Sequence, residues 1–256
     1  MGLASVVVNG PLFIYGPLGF TPILRRILGP EGVGHLRIAH LPGFEVTSTG
    51  EAAIMAGLAP GAGQAEGWFV SDRDAVQRLS YVAEVFDLGA PIPVTVDHAG
   101  LCAEAQTFPG HPGACRWHQG AWAERWGDLL ATAADELTEL AAEFEAGQMA
   151  GRVPMILSRA AARLAAKADA PADLRSATPA SGVEEYDSAI THAGFFLSRD
   201  YTLSHPRFDG TMSAPLRREV FVATDAALVL PYDPASDRVL LVEQFRMGPY
   251  GRGDAR

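Results

Sequence analysis

The chain has 256 residues, enough for two modest domains, and its 48% hydrophobic and 20% charged residues are typical of a globular protein. A net charge of −10 repels a polyphosphate backbone, which argues against a nucleic-acid partner. No stretch approaches the roughly 18 consecutive apolar residues of a membrane span, so we expect no membrane association.

Cysteine content and the N-terminus predict the compartment. Cys102 and Cys115 are too few for a disulfide framework. The first residues, Met1 to Val6, lack the basic region of a signal peptide and continue directly into apolar sequence. These features predict a cytoplasmic protein.

In the first hundred residues, short strand-forming runs alternate with Gly and Pro residues that interrupt them. Asn9 and Gly10 form a hairpin turn signal between the first two of these strands. Runs rich in β-branched or aromatic residues predict strands over 5–8, 11–15, 65–70 and 92–96.

Two helices are predicted between these strands. The first spans 21–29, with Thr21 as N-cap, a proline at the first helical position and Gly29 at its end. The second spans 71–86, where apolar residues recur at helical spacing after Ser71 or Asp72.

The remaining chain predicts a helical middle and a strand-rich end. Residues 99–117, rich in Gly, Pro, Cys and His, predict a loop, and the composition of 169–185 is that of a linker. An Ala/Glu/Leu-rich run predicts an amphipathic helix that begins near Arg125 and ends at Gly147, and a second helix is predicted over 154–168. Strand-like runs follow over 193–203, 218–230 and 238–245, the last two joined by a hairpin loop.

The predicted loop contains a group of potential metal ligands. Cys102, His111, Cys115 and His118 have the side chains that bind tetrahedral zinc. Their spacing, C-x8-H-x3-C-x2-H, matches none of the strong zinc templates and contains no CxxC pair. These residues are compatible with a zinc site or with a solvated connector. We adopt the connector as our interpretation, in which there is no metal site.

The stretch "FIYGPLG" (13–19) resembles the Tyr-Gly-Ser/Thr-Leu signature of the gamma-glutamylcyclotransferase-like family, and the order of elements around it is similar. The resemblance implies a β-barrel with helices. In that family the backbone N–H groups of the loop, here around Tyr15, Gly16 and Leu18, bind a substrate carboxylate. A Glu near the end of the second helix is the general acid and base.

The sequence departs from that family at both functional positions. Pro17 stands at the Ser/Thr position and has no N–H to donate. Ala83 stands where the family has its Glu, with Glu84 next to it, and one residue turns a helical side chain by about 100°. We therefore expect a degenerate cyclotransferase-like loop, and turnover that uses Glu84 is the alternative.

Three stretches stand out between Phe195 and the end of the chain: "FDG" (208–210), the run 217–246 and the following "GPYGRGD". On the basis of these stretches, this part of the chain resembles the ADP-ribose pyrophosphatase branch of the Nudix superfamily. The resemblance implies that Arg218 and Glu219 contact the adenosine part of the substrate, partly across a homodimer interface. It implies that Arg246 faces the ribose-phosphate part.

The residue types fit those implied roles. Because Arg218 and Glu219 are neighbours on a predicted strand, their side chains project from opposite faces of it. Arg246, at the end of a predicted buried strand, offers a planar bidentate donor to a phosphate or a ribose. The alternative for Arg218, Glu219 and Arg246 is a salt bridge at the surface or across a dimer interface.

The catalytic pattern of that superfamily, G-x5-E-x7-R-E-U-x-E-E-x-G-U, does not occur in the chain. Nudix hydrolysis needs those clustered Glu residues on one helix to hold divalent cations. We expect the complete protein to be an Mg²⁺-dependent hydrolase that converts ADP-ribose to AMP and ribose 5-phosphate. We expect the present chain, without a catalytic residue, to be inactive. A non-catalytic scaffold or regulatory protein is the alternative.

The two resemblances together predict an α+β protein. A cyclotransferase-like barrel domain is expected over 1–105 and a helical connector with a linker over 106–180. The N-terminal portion of a Nudix α/β/α sandwich is expected over 181–256. The fusion resembles proteins associated with tellurite resistance, a phenotype from which no mechanism follows.

Overall fold

The computed structural model describes residues 8–167, 180–223 and 228–252. The contacts divide the chain into two compact units, Met1–Thr224 and Asp225–Arg256, and each is described by itself. Among the described residues, none of the helices combines the length and the hydropathy needed to cross a bilayer. Most of the predicted strand 5–8 and of the predicted linker lies outside the described residues.

A closed barrel forms the front of the first unit. Its strands are β1 (Leu12–Tyr15), β2 (Arg37–Ser48), β3 (Gly57–Val70), β4 (Ile92–His98) and β5 (Leu101–Thr107). They neighbour one another in the order β3-β1-β5-β4-β2, and β2 pairs again with β3, which closes the sheet. The expected α+β fold, a β-barrel with helices, is confirmed.

The barrel interior is packed by side chains from all five strands. Three alanines, Ala39, Ala65 and Ala105, leave room for the stacked rings of Phe13 and Tyr15, whose centroids are 6.0 Å apart. Phe13 is fully buried and Tyr15 is 8% exposed. Burial of each large apolar side chain contributes about 1.5–3 kcal/mol.

Strand β5 corrects the prediction of a loop over 99–117. It pairs with β4 along its whole length, and its residue Gln106 pairs with Leu12 of β1. The small inward residues Ala103 and Ala105 have low β-propensity, so the pattern did not indicate a strand. A two-residue strand, β6 (Cys115–Arg116), follows and pairs with the end of β2.

The two predicted helices of the front part are confirmed with adjusted ends. Helix α1 covers Thr21–Gly34, with Phe20 at the N-cap position and an interruption at Gly29, whose φ is +75°. Helix α2 covers Arg73–Val85. Its N-cap is Asp72, whose side chain accepts a hydrogen bond from the Ala75 amide at 2.9 Å.

The helical middle is more divided than predicted. It contains α3 (Gln119–Trp122), a π-turn over Ala123–Gly127, α4 (Asp128–Leu140), α5 (Ala146–Met149) and α6 (Val153–Ala165). Gly147 therefore does not end the long helix, which stops at Leu140. A new helix begins within the predicted one, where Glu145 and Gln148 form the reciprocal capping box of α5.

A three-stranded antiparallel sheet completes the first unit. Its strands are β7 (Glu184–Ala193), β8 (Leu197–Ser204) and β9 (Leu216–Val222), paired in that order. Ile190 and Ala193 pack against the apolar cluster of α4 and α6. Arg199 of β8 forms an ion pair with Glu139 of α4, so this sheet is attached to the helices.

The second unit contains little regular structure in its described residues. A hairpin of β10 (Tyr232–Asp233) and β11 (Arg238–Val239) is followed by the short helix α7 (Met247–Gly251). The predicted strand 238–245 is wrong beyond Val239. Leu240, Leu241 and Val242 are exposed, because the described part of the chain offers them no neighbouring strand.

A buried ion cluster joins α4 to α6. The Glu136 carboxylate, 2% exposed, accepts hydrogen bonds from Arg159 Nη2 at 2.6 Å and from Arg163 Nη2 at 2.9 Å. Arg159 is 4% exposed. A buried charge of this kind is tolerated only while its partner is present.

Glu136→Ala should lower the free energy of unfolding by about 3–5 kcal/mol, because it leaves the Arg159 guanidinium buried without a counter-charge. Denaturant unfolding measures this. Glu143→Ala, at an exposed position nearby, is the matched control and should change stability by less than about 0.5 kcal/mol. The double variant Glu136→Leu with Arg159→Leu should recover most of the loss, and equal losses in Glu136→Ala and Glu143→Ala would contradict the assignment.

Candidate functional site

The signature loop follows β1 as a tight 3-10 turn over Gly16–Gly19. Gly16 has a φ of +58°, a conformation that favours glycine. The Tyr15 hydroxyl donates to the carbonyl oxygens of Phe108 at 2.8 Å and of Pro109 at 2.9 Å. Burial raises the pKa of Tyr15, so this hydroxyl keeps its proton and anchors the loop.

Strand β3 holds the other end of the loop. The indole N–H of Trp68 donates to the Gly19 carbonyl oxygen at 2.8 Å. At Gly67 a Cβ would lie 2.2 Å from the Ile14 carbonyl oxygen, so β3 approaches β1 more closely than any side chain would permit. The loop conformation is therefore fixed by the barrel.

The inner side of the loop is closed and apolar. Pro17 and Leu18 are buried, and the gap between them, Leu88 and Phe108 has a volume of about 10 Å³, no more than a single water molecule needs. Ala83 is fully buried in the same apolar cluster as Leu18 and Leu88. The position of the family carboxylate is thus part of the core.

Glu84 lies elsewhere. It lines a cavity of about 430 Å³ together with Arg78 and Tyr81, and none of the signature residues borders that cavity. Burial raises the pKa of Tyr81 to about 12, while the positive charge of Arg152 opposes the shift and the Glu84 charge adds to it. The structure does not bring Glu84 together with Tyr15, Gly16 and Leu18.

A second cavity, which we call the loop cavity, lies on the outer side of the signature loop and has a volume of about 370 Å³. Its charged members are Glu45 of β2, Glu66 of β3 and Arg116 of β6, and Trp68 and Trp117 also line it. None of these three charged residues was predicted from the sequence. The available signal was partial: on β3 the exposed Glu66 alternates with the buried Ala65, whereas the two-residue strand of Arg116 has no periodic pattern.

The residues weighed as zinc ligands remain apart. Cys102 lies on β5 opposite Asp97, whereas Cys115 lies on β6 opposite Ser48, and both thiols are free. Within 8–167, 180–223 and 228–252, no three His, Cys, Asp or Glu side chains form a group that could hold a metal ion. The described carboxylates therefore do not fit the Mg²⁺ site that the Nudix resemblance implies.

The predicted substrate-binding residues are all exposed. Arg218 and Glu219 are neighbours on β9, so they project from opposite faces of the sheet. Arg218 Nη1 donates to the backbone oxygen of Arg217 at 2.8 Å. Arg246 belongs to the second unit, where it precedes α7 in exposed chain without regular structure, so the predicted buried strand before it is wrong.

No family model matches the chain. Among curated proteins, the ADP-ribose pyrophosphatase of Escherichia coli (strain K12) is 44% identical over 59 residues, which are 23% of this chain and 28% of that protein. The ADP-ribose pyrophosphatase of Haemophilus influenzae is 39% identical over 66 residues, 26% of this chain and 30% of that protein. The chain thus spans less than a third of the length of these relatives.

Two solved structures resemble the chain distantly. YkqA from Bacillus subtilis has a TM-score of 0.36 and 16% identity, over 46% of this chain and 49% of that one. The Arabidopsis thaliana protein At5g39720.1 has a TM-score of 0.33 and 18% identity, over 55% of this chain and 96% of that one. At these values neither similarity carries a conclusion about function.

Ala83→Glu should lower the free energy of unfolding by about 3 kcal/mol or more, because it places a carboxyl group in a filled apolar cluster. Burial raises the pKa of such a carboxyl group above its unfolded value of about 4.3. The loss should therefore be smallest below that pH and should grow as the pH rises towards the folded pKa.

Unfolding measured across the pH range tests this expectation. Ala83→Gln is the matched control, since it adds nearly the same volume without a titratable group, and its loss should not depend on pH. A pH-independent loss in Ala83→Glu would show that the position is open to water.

Proposed function

We propose that the chain from Phe195 onward is the substrate-holding portion of a Nudix-type ADP-ribose pyrophosphatase. In a protein that also supplies the metal-binding helix, it would convert ADP-ribose to AMP and ribose 5-phosphate with Mg²⁺. The observation that carries the proposal is the identity of 44% over 59 residues with a protein of that name. The second relative, at 39% over 66 residues, supports the same substrate class.

The exposed residues of β9 are consistent with ligand contact. Arg217 is engaged in an ion pair with Asp200 of β8. Arg218, by contrast, is exposed, gives one N–H to a backbone oxygen and forms no ion pair among the described residues. Arg218 and Glu219 are in this proposal the contacts to the adenosine part, and Arg246 is the contact to the ribose-phosphate part.

A homodimer formed through this portion belongs to the same proposal. Leu228, Val229 and Leu230 are 97%, 84% and 64% exposed. A contiguous apolar run of this exposure favours burial against another surface, and a second copy of the chain is the partner we propose.

A non-catalytic scaffold or regulatory protein is the second candidate. Two observations favour it: Ala83 is buried in the core where the cyclotransferase-like family has its carboxylate, and the described residues contain no group of carboxylates that could hold a metal ion. The DNA sequence downstream of codon 256 distinguishes the hydrolase from the scaffold. A Glu-rich Nudix box in frame would support the hydrolase, whereas an immediate stop codon would support the scaffold.

We expect the 256-residue chain to release no AMP from ADP-ribose in the presence of Mg²⁺, since Nudix hydrolysis requires clustered carboxylates that its sequence lacks. Chromatographic detection of AMP measures this, with the Escherichia coli ADP-ribose pyrophosphatase as the positive control. Metal-dependent AMP release by the purified chain would refute the expectation that it is inactive without those carboxylates.

Binding should persist without catalysis. Titration calorimetry with ADP-ribose should show that Arg218→Ala and Arg246→Ala each weaken binding by roughly tenfold or more, because each removes charge-assisted hydrogen bonds. Arg207→Ala and Arg252→Ala, at exposed positions in the corresponding units, are the matched controls. If the chain binds no ADP-ribose, or if all four variants bind it equally well, the proposed contacts are wrong.

A further inference from the structure

We propose that a cavity along α2 binds a neutral polyhydroxylated molecule, a sugar or a polyol. This α2 cavity is the one that Glu84 lines, and α2 residues from Arg73 to Glu84, residues 8 and 9 and Ala141 border it. None of these residues belongs to the portion from Phe195 onward, and none borders the loop cavity. The proposal therefore goes beyond the hydrolase function proposed above and is tested independently of it.

The dimensions of the α2 cavity suit a small, elongated molecule. Its volume of about 430 Å³ lies within the range of about 300–1,000 Å³ that is typical of ligand pockets. The α2 residues that line it extend from Arg73 to Glu84, which is about 16 Å along the helix axis at about 1.5 Å per residue. The cavity therefore follows the length of α2, and one ligand can contact several turns of the helix.

Two hydroxyl groups in the wall of the α2 cavity lack hydrogen-bond partners. Ser80 is 4% exposed, and its Oγ is buried without a partner among the described residues. The hydroxyl of the neighbouring Tyr81 is also buried, with no partner in the same part of the chain. Burial raises the pKa of Tyr81 to about 12, so this hydroxyl keeps its proton and remains a donor. Because an unsatisfied buried donor is costly, a ligand oxygen that accepts from these hydroxyls would be stabilised there.

The charged side chains of the α2 cavity balance one another. The guanidinium groups of Arg73 and Arg78 are matched in number by the carboxylates of Asp74 and Glu84. Arg78 Nε and Asp74 Oδ2 form an ion pair at 2.8 Å. Because the lining carries no net charge, it does not favour an anion or a cation over a neutral molecule.

The uncharged side chains of the α2 cavity indicate the class of ligand. Its four uncharged polar side chains can each both donate and accept a hydrogen bond, and they are Asn9, Gln77, Ser80 and Tyr81. A ligand hydroxyl has the same dual capacity, so several hydroxyls can be matched by this lining in either direction of each bond. Val8 and Val76 add apolar surface, which can contact the C–H groups of the ligand. A sugar or a polyol combines these two kinds of group.

Titration calorimetry with glucose, maltose and sorbitol tests the proposal, since these probes present hydroxyls on one ring, on two rings and on a linear chain. We expect saturable binding of at least one of them, and their ranking separates a sugar ring from a linear polyol. Methylation of every hydroxyl of the bound probe should weaken binding at least about tenfold, because it removes the donors. Glucose 6-phosphate and glucosamine, which add a negative and a positive charge, should bind no more tightly than the best neutral probe.

Variants locate the site and separate binding from folding. Ser80→Ala and Tyr81→Phe each remove one unpartnered hydroxyl, so each should weaken binding about fivefold. Neither should lower the free energy of unfolding measured without ligand, whereas loss of a hydroxyl that stabilises the fold would lower it. Ser71→Ala and Tyr186→Phe, at exposed positions outside the cavity, are the matched controls and should leave the affinity unchanged.

Three results would overturn the proposal. The first is the absence of saturable binding with all three neutral probes at millimolar concentration. The second is binding of glucose 6-phosphate or glucosamine that is at least about tenfold tighter than that of every neutral probe, which would indicate a charged ligand. The third is binding that Ser80→Ala and Tyr81→Phe alter no more than the control variants do.

Discussion

The pairing of β3 with both β1 and β2 is the constraint on which the first unit depends. It closes the sheet, and it requires Gly67 at the crossing because a Cβ there would lie 2.2 Å from the Ile14 carbonyl oxygen. Closure separates the barrel interior, packed by Phe13 and its neighbours, from an outer surface that carries polar side chains. The signature loop lies between these two environments. Its inner side is therefore filled, and its outer side borders the loop cavity.

Sequence patterns predicted the elements whose signals are local. The start of α2 follows from one side-chain cap at Asp72, and the strands that begin the barrel are rich in β-branched or aromatic residues. By contrast, β2, β5 and β7 were missed. Their small or polar residues are in strands because distant partners pair with them, as when Leu12 pairs with Gln106. Such partners are determined by tertiary context, which overrides propensity.

The candidate site was predictable to a similar degree. The sequence located the signature loop and its two departures, Pro17 and Ala83, because both rest on a short motif. It did not locate the loop cavity. Glu45 and Arg116 reach the same cavity only because β2 and β6 pair, with Thr47 opposite Arg116, and a two-residue strand leaves no periodic pattern to read.

The packing around Ala83 also limits how this chain can change. A carboxylate at that position would be useful only if Leu18, Leu88 and their neighbours withdrew to admit water and substrate, and those residues hold the loop against α2. Each of those withdrawals alone would remove apolar packing from the cluster and weaken the fold. A larger or charged side chain at Ala83 is thus accommodated only together with changes in the residues that surround it.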